Sequence, residues 1–208
     1  MEEQKKGKFI VFEGIDGCGK STQAYLFVKY LFTKNKYTHV LLTREPYKSR
    51  KIRDILKKKH NAYEEAELLT KLFFQDRKKH VKEVILPALK KGIYVVSDRY
   101  KLSTIAYQST QGMPLQKLIN MHKNMPIPDI TFIVDANART AKERIEKEQK
   151  IIEQKFEKSI EFQELLRKVY LKLPKIINNE RIFIINGEKT INEVAKEVQE
   201  IYEREIEN

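Results

Sequence analysis

The stretch Phe9-Ile10-Val11-Phe12-Glu13-Gly14-Ile15-Asp16-Gly17-Cys18-Gly19-Lys20-Ser21-Thr22 decides the fold. Its first four residues are apolar and suited to a strand, and from Thr22 to Asn35 the chain takes up helical periodicity. Between them, Gly14 to Ser21 matches G-x-x-x-x-G-K-[ST] in full. A strand, a glycine-rich turn and a helix in that order form an anion cradle. The glycines let backbone N–H groups face a phosphate without interference from Cβ atoms, and the helix adds the partial positive charge of its N-terminus. In such a loop Lys20 reaches the β- and γ-phosphates of a nucleotide and the Ser21 hydroxyl ligates Mg²⁺. Asp16 puts a negative charge inside the loop. It fits there if it meets the metal or a sugar hydroxyl of a second substrate, and equally if it satisfies the loop's own backbone. Cys18 reads as a small loop residue, because a helix N-terminus can lower a thiol pKa without making the thiol catalytic.

Four more apolar runs lie outward from this loop: His39–Leu42, Ile93–Val96, Ile130–Val134 and Ile182–Ile185. They read as strands apolar on both faces, as a buried parallel sheet requires. Helical periodicity fills Thr22–Asn35, Glu64–Lys91, Thr140–Leu173 and Ile191–Glu205. Strands alternating with helices predict an α/β fold, a five-stranded parallel sheet flanked by helices on both faces. Ligands bind such sheets at the carboxyl ends of the strands, so the residues just after each run are the ones to inspect.

After the second run comes Thr43-Arg44-Glu45-Pro46. An Arg at a strand's carboxyl end can grip a phosphate bidentately, and an Arg-Glu pair can equally form a surface ion pair. After the third comes Ser97-Asp98-Arg99-Tyr100, where Asp98 suits an Mg²⁺-organising carboxylate and Asp135, after the fourth run, competes with it. Motors that hydrolyse nucleotides place a second acid next to the first. Arg99 and Ala136 stand there instead, which favours transfer to an acceptor other than water, with Arg99 stabilising the transferred phosphoryl group. In the stretch Glu64–Lys91, Leu69, Phe73, Val81, Val84 and Ala88 form an apolar stripe with Arg77 in its middle. Phe73 and Arg77 at i, i+4 would offer a ring face and a forked donor to a nucleobase, or Arg77 would lay its stem on the core and extend its head to water. Pro87 should bend this helix near its end.

Composition narrows the classes. With 208 residues, 24.7 kDa and 41% hydrophobic residues, one core-forming domain over 1–208 is the simplest organisation. A single cysteine excludes a disulfide framework or a CxxC metal site. No run of 18 apolar residues exists to span a membrane, and Met1–Lys8 is polar, so a cytoplasmic location is the default. The net charge of +12 points to anionic partners, whether nucleic acid, membrane surface or phosphorylated small molecules. Arg accounts for only ten of the 41 basic residues, and a Lys excess also accompanies life at high temperature.

Together these residues resemble the thymidylate kinases, P-loop nucleoside monophosphate kinases, from Phe9 to about Ile201. The resemblance rests on Gly14–Thr22 with its internal acid, on Thr43-Arg44-Glu45-Pro46, on Phe73 with Arg77, and on Asp98-Arg99-Tyr100, Ser103 and Ala106-Tyr107-Gln108. It implies transfer of the ATP γ-phosphoryl group to dTMP, giving dTDP and ADP, with Mg²⁺. By the same likeness Gly14 to Thr22 bind ATP, Arg44 holds the dTMP phosphate, Phe73 stacks on thymine and Arg77 bonds its O4. Asp16 faces the sugar 3′-hydroxyl and the metal, Tyr107 fills the space of a ribose 2′-hydroxyl, Gln108 lies near the base, and Asp98 and Arg99 organise Mg²⁺ and phosphates. The family supplies a transition-state Arg from the phosphate loop or from a lid. Gly17 stands at the loop position, which directs attention to a lid at roughly 144–156, with Arg144, Lys147, Lys150 and Lys155. Arg144 and Lys155 are expected to assist closure there. Tyr47-Lys48-Ser49 replaces the family's Gly-Gly-Thr, and a homodimer is the family's usual state. A kinase for dUMP or a broader pyrimidine set is the alternative. A nucleic-acid-binding P-loop protein is the rival from another class, drawing on Lys48–Lys59, with seven basic residues and one acid. Such a protein would bind with steep salt dependence, and the aromatic-basic interleaving of single-strand readers is missing.

Overall fold

Strand β1 (Phe9–Glu13) is buried along its whole length because it is the middle strand of the sheet. The structure, a computed structural model, describes residues 7–57, 65–147 and 159–207. With β2 (Val40–Arg44), β3 (Tyr94–Asp98), β4 (Ile130–Asp135) and β5 (Ile182–Asn186), β1 forms a parallel sheet in the order β2-β3-β1-β4-β5. Phe12 pairs with Asp98 on one side and Phe132 on the other. The carboxyl ends of β3, β1 and β4 therefore end side by side, and the phosphate loop emerges between them.

The helices in chain order are α1 (Lys20–Lys34), α2 (Arg50–Lys57), α3 (Ala66–His80), α4 (Leu86–Lys90), α5 (Lys101–Thr110), α6 (Leu115–His122), α7 (Ala138–Lys147), α8 (Ile160–Ile176) and α9 (Ile191–Tyr202). Alternation along β1 assigns its two faces. Ile10 and Phe12 join Phe27 of α1 and Val198 and Tyr202 of α9 in one cluster, where the Phe27 ring meets Phe12 at 5.9 Å and Tyr202 at 4.9 Å. Phe9 and Val11 pack on Val81, Ile85 and Leu89 of the opposite layer. Each such side chain withdrawn from water contributes roughly 1.5–3 kcal/mol.

The five expected strands are all present, each within two residues of its expected ends. Two depart from the expectation of burial on both faces. Strands β2 and β5 are the sheet's edges, and Leu42 and Ile184 are exposed there. The expected helix over Glu64–Lys91 is α3 and α4 joined by a π turn, Val81–Ile85. Pro87 lacks an N–H and crowds the preceding turn, and the wider turn just before it absorbs the mismatch. The added residue shifts the buried stripe by one position, so Ile85 is fully buried and Val84 only partly so. The periodicity over Thr140–Leu173 divides into α7 and α8 among the described residues. The Ser159 hydroxyl accepts from Phe162 N and opens α8 as a separate helix. Helices α2, α5 and α6, each ten residues or fewer, were not among the expected helical stretches. Among the described residues no helix is long and apolar enough to cross a membrane.

Candidate active site

The phosphate loop is held open by backbone contact. Gly17 has φ +79°, and a Cβ there would lie 2.2 Å from the Ala141 carbonyl oxygen of α7. Helix α1 then starts with no side-chain cap and no acid in its first turn, so its leading N–H groups are free for an anion. Lys20, only 5% exposed, donates to the Ile15 carbonyl at 3.1 Å and to Asp16 Oδ1 at 3.3 Å. Burial pushes the Cys18 thiol up, so it is an inert packing residue. Arg144 of α7 donates to the Cys18 carbonyl at 3.3 Å.

Beside the loop, Asp16 accepts from Arg99 through Oδ1 and from the Tyr107 hydroxyl through Oδ2 at 2.7 Å. Burial alone would raise its pKa. The Arg99 and Lys20 charges and the Tyr107 hydrogen bond outweigh that and hold the carboxyl below its ordinary range. Arg99 has φ +75°, a left-handed conformation costing a non-glycine residue about 1–3 kcal/mol. Several bonds offset the strain. Arg99 N donates to Phe12 O at 2.8 Å, and the Ser97 hydroxyl donates to Arg99 O at 2.7 Å. Buried Glu13 accepts from Tyr100 N at 2.8 Å, Ser103 N at 3.1 Å and Ser103 Oγ at 2.5 Å, while Ser103 Oγ accepts from Arg99 Nη1 at 3.0 Å.

Asp98 closes the other side of the loop. Its Oδ2 accepts from Ser21 Oγ at 2.6 Å and from Arg44 Nε and Nη2 at 3.1 and 2.8 Å. Its Oδ1 is buried with no partner among the described residues. Desolvation would raise this carboxyl, but Lys20, Arg99, Ser21 and Arg44 keep it lowered, so it is anionic. An unengaged carboxylate oxygen next to a serine hydroxyl suits a hard cation that takes oxygen ligands and keeps several waters. The competing acid, Asp135, has both oxygens taken by Arg167 at 2.6 and 2.9 Å.

A cavity of about 950 Å³ adjoins the loop. Its lining includes Arg144, Lys189, Thr190 and Ile191. It also includes Pro46, Phe73, Arg77, Thr104, Tyr107 and Gln108. Arg77 is 1% exposed, so its head does not reach water. Nε donates to Glu45 Oε2 at 2.7 Å, Nη2 to the Tyr100 carbonyl and Thr104 Oγ1 at 2.9 Å each, and Nη1 to His122 Nε2 at 2.8 Å. Gln108 is buried. It donates to Gln111 Oε1 at 3.0 Å, and its own Oε1 has no partner among the described residues.

The His122 tautomer follows from its neighbours. Nδ1 lies 2.8 Å from the Leu118 carbonyl, which only accepts, so the proton is on Nδ1 and Nε2 accepts from Arg77. Burial and then the Arg77 charge lower the His122 pKa from 6.5 to about 3. The unfolded chain takes up this proton near 6.5 and the native one does not, so the contribution is complete above that pH and is lost as pH falls toward 3. Between pH 7 and 5, the unfolding free energy of the wild type should fall more steeply than that of H122Q, by up to about 1.4 kcal/mol per pH unit below 6.5. Urea titrations giving parallel pH dependences for the two proteins would refute this.

The thymidylate kinase family model matches residues 12–198. Thymidylate kinase of Thermosipho africanus is 40% identical over 96% of this chain and all of its own length. A probable thymidylate kinase of Thermococcus gammatolerans is 37% identical over 96% of this chain and 98% of its own. This chain belongs to the thymidylate kinase family. A crystal structure of thymidylate kinase from Ehrlichia chaffeensis overlays with a TM-score of 0.71 at 30% identity, covering 95% of this chain and 99% of that one. In this thymidylate kinase family member the P-loop kinase fold expected from the sequence is the fold observed.

Of the residues anticipated from sequence, Gly14 to Thr22, Arg44, Phe73, Arg77, Asp98, Arg99, Tyr107, Gln108 and Arg144 converge on the loop or its cavity. Lys147 ends α7, exposed, whereas Lys150 and Lys155 lie outside the described residues. Sequence reasoning passed over Glu13, Thr104, His122 and Asp76. Asp76 accepts from the backbone N of Tyr47, Lys48 (3.0 Å) and Ser49 (2.9 Å), which defines the turn where this chain carries Tyr-Lys-Ser in place of Gly-Gly-Thr. Its signal was available: an acid one position before Arg77, on a helix face that is otherwise being buried.

Proposed function

We propose that the chain transfers the γ-phosphoryl group of ATP to dTMP, with dTDP and ADP as products, and that the cavity holds both nucleotides. The observation that carries this is one cavity lined both by the phosphate loop and by Phe73 and Arg77 of α3 with Thr104, Tyr107 and Gln108 of α5. ATP lies with its phosphates on the loop amides and Lys20 and its base toward Lys189–Ile191. dTMP lies between α3 and α5, with its base on Phe73, its O4 toward the remaining N–H of Arg77 Nη1, and its N3–H toward the unpartnered Gln108 Oε1. Tyr107, fixed on Asp16, occupies the space a 2′-hydroxyl would need. The relatives' names favour dTMP over dUMP, a broader pyrimidine set or nucleic acid.

Phosphoryl transfer needs positioning and charge neutralisation rather than a strong base, because the acceptor is already an anionic phosphate oxygen. Ser21 and Asp98 Oδ1 would hold Mg²⁺, which when bound neutralises charge across the transferring phosphates. Arg99, fixed by Asp16 and Ser103, presents its guanidinium between the loop and the acceptor phosphate. Arg44, with a 66% exposed side chain resting on Asp98, exchanges that carboxylate for the dTMP phosphate. In the same reading the chain is one domain over 1–208 with a lid at about 144–156, where Arg144 and Lys155 close over ATP. A homodimer through the long helix would cover the exposed Leu68 and Leu86.

The test is an ADP-release assay with Mg²⁺-ATP over a nucleotide panel, in which dTMP should be the best acceptor. Arg44→Ala should raise the KM for dTMP about 10–100-fold, the worth of a charged hydrogen bond, and leave that for ATP within about threefold. Equal effects on both substrates would remove Arg44 from the acceptor site.

A further inference from the structure

The guanidinium of Arg77 is built into the interior by groups from three separate parts of the chain. Glu45 follows β2, Tyr100 and Thr104 lead into or lie on α5, and His122 ends α6. Glu45, Tyr100 and Thr104 engage the Nε and Nη2 side. Among the described residues only His122 touches Nη1, the nitrogen that carries the one N–H left unpaired. Because the guanidinium is planar and rigid, each bond to it, the His122 bond on the same nitrogen included, helps to fix the direction of that free N–H.

We propose that His122 is a positioning residue that sets the nucleobase preference of the acceptor site, by accepting from Arg77 Nη1 and aiming the second Nη1 hydrogen at the base. This rests on the reading that Arg77 meets the base at its 4-position. The imidazole is itself set on two sides. Its Nδ1–H is spent on Leu118 O at 2.8 Å, and the Phe74 ring packs on it edge-on, with centroids 5.4 Å apart at 83°. With its proton committed to Nδ1, His122 can present only an acceptor to Arg77. A base with an oxygen at the 4-position receives the remaining hydrogen. A base with an amine there meets donor against donor, and both are left without a partner in a buried site, the situation that discriminates most strongly between otherwise similar ligands.

The experiment compares dTMP with 5-methyl-dCMP, which carries an amine at the 4-position and a bare N3 in place of N3–H, in wild type, H122L and H122Q; the N3 difference is the same in all three proteins, so the change in preference between them reads the 4-position. Wild type should prefer dTMP by at least about 100-fold in kcat/KM. H122L should raise the KM for dTMP about tenfold, leave the KM for ATP unchanged and reduce the preference about tenfold. H122Q, whose amide oxygen can reach the place of Nε2, should restore both. A purely structural role would lower kcat and stability without changing the preference. H122L with wild-type preference, or H122Q as impaired as H122L, overturns the proposal. A wild type with no preference overturns the base reading and the proposal with it, so the two failures are distinct. Independently of either variant, ¹⁵N NMR of the wild type at pH 7 should show a neutral His122 protonated on Nδ1, and protonation on Nε2 overturns the proposal.

Discussion

Lys20→Met is expected to lower kcat about 10²–10³-fold at saturating ATP and dTMP, the scale for deleting one preorganised charge at a transition state. The size follows from where Lys20 sits. Its stem is buried and its ammonium is pinned between Ile15 O and Asp16, at the entrance to α1. No rearrangement is needed when charge moves from the γ-phosphate toward the β-phosphate, so the stabilisation is delivered in full. A methionine keeps the stem's volume and removes only the charge. The same ammonium also helps hold Asp16 and Asp98 in their anionic forms. Its loss should therefore also move the acid limb of the rate profile upward. A fall in kcat of less than tenfold would exclude Lys20 from the transferring phosphates.

Arg77→Ala is expected to destabilise the fold by about 3–5 kcal/mol, before any effect on the substrate is counted. Arg77 and Glu45 form an ion pair at 2.6 Å with side chains 1% and 5% exposed. Removing the Arg leaves a carboxylate in the interior with, among the described residues, only the His80 ring beside it, at 3.1 Å. For a chain of this length each kcal/mol shifts Tm by about 2–4 °C, so a fall on the order of 10 °C should appear in a melting curve. The double variant E45Q/R77A should recover part of the loss, because an uncharged amide costs less to bury than an orphaned carboxylate. A single variant within about 1 kcal/mol of wild type would mean that water reaches Glu45 and that the cluster is weaker than its geometry implies.

The pattern of legibility has a physical basis. The strands and the phosphate loop were readable because the information is local: an apolar run, a glycine spacing, a helix start. Leu42 and Ile184 misled because an edge strand can carry the same aliphatic run as a central one, and only the strand order separates them. The one-residue shift from Val84 to Ile85 comes from a π turn that a 3.6-residue period cannot anticipate. Among site residues, Arg44 and Asp98 end strands and Arg99 follows one, and strand ends are where α/β sheets bind ligands, so their positions announced them. Glu13, Glu45 and His122 have partners 32 to 157 residues away and become meaningful only after folding. Arg77 was the one visible end of that network. A cation in an apolar stripe must find acceptors, but nothing local says which.

Gly17 carries a consequence for how such a site can vary. The missing side chain lets the α7 backbone lie directly on the phosphate loop, with Ile145 also within 2.9 Å of where a Cβ would be. An arginine placed in the loop at this position and the present seating of α7 are therefore mutually exclusive arrangements. A lineage that gained a cation at position 17 would have to lift α7 and, with it, the Arg144 contact to Cys18. The two ways of supplying positive charge to the transferred group are alternatives of backbone geometry, and no single substitution at position 17 converts one into the other.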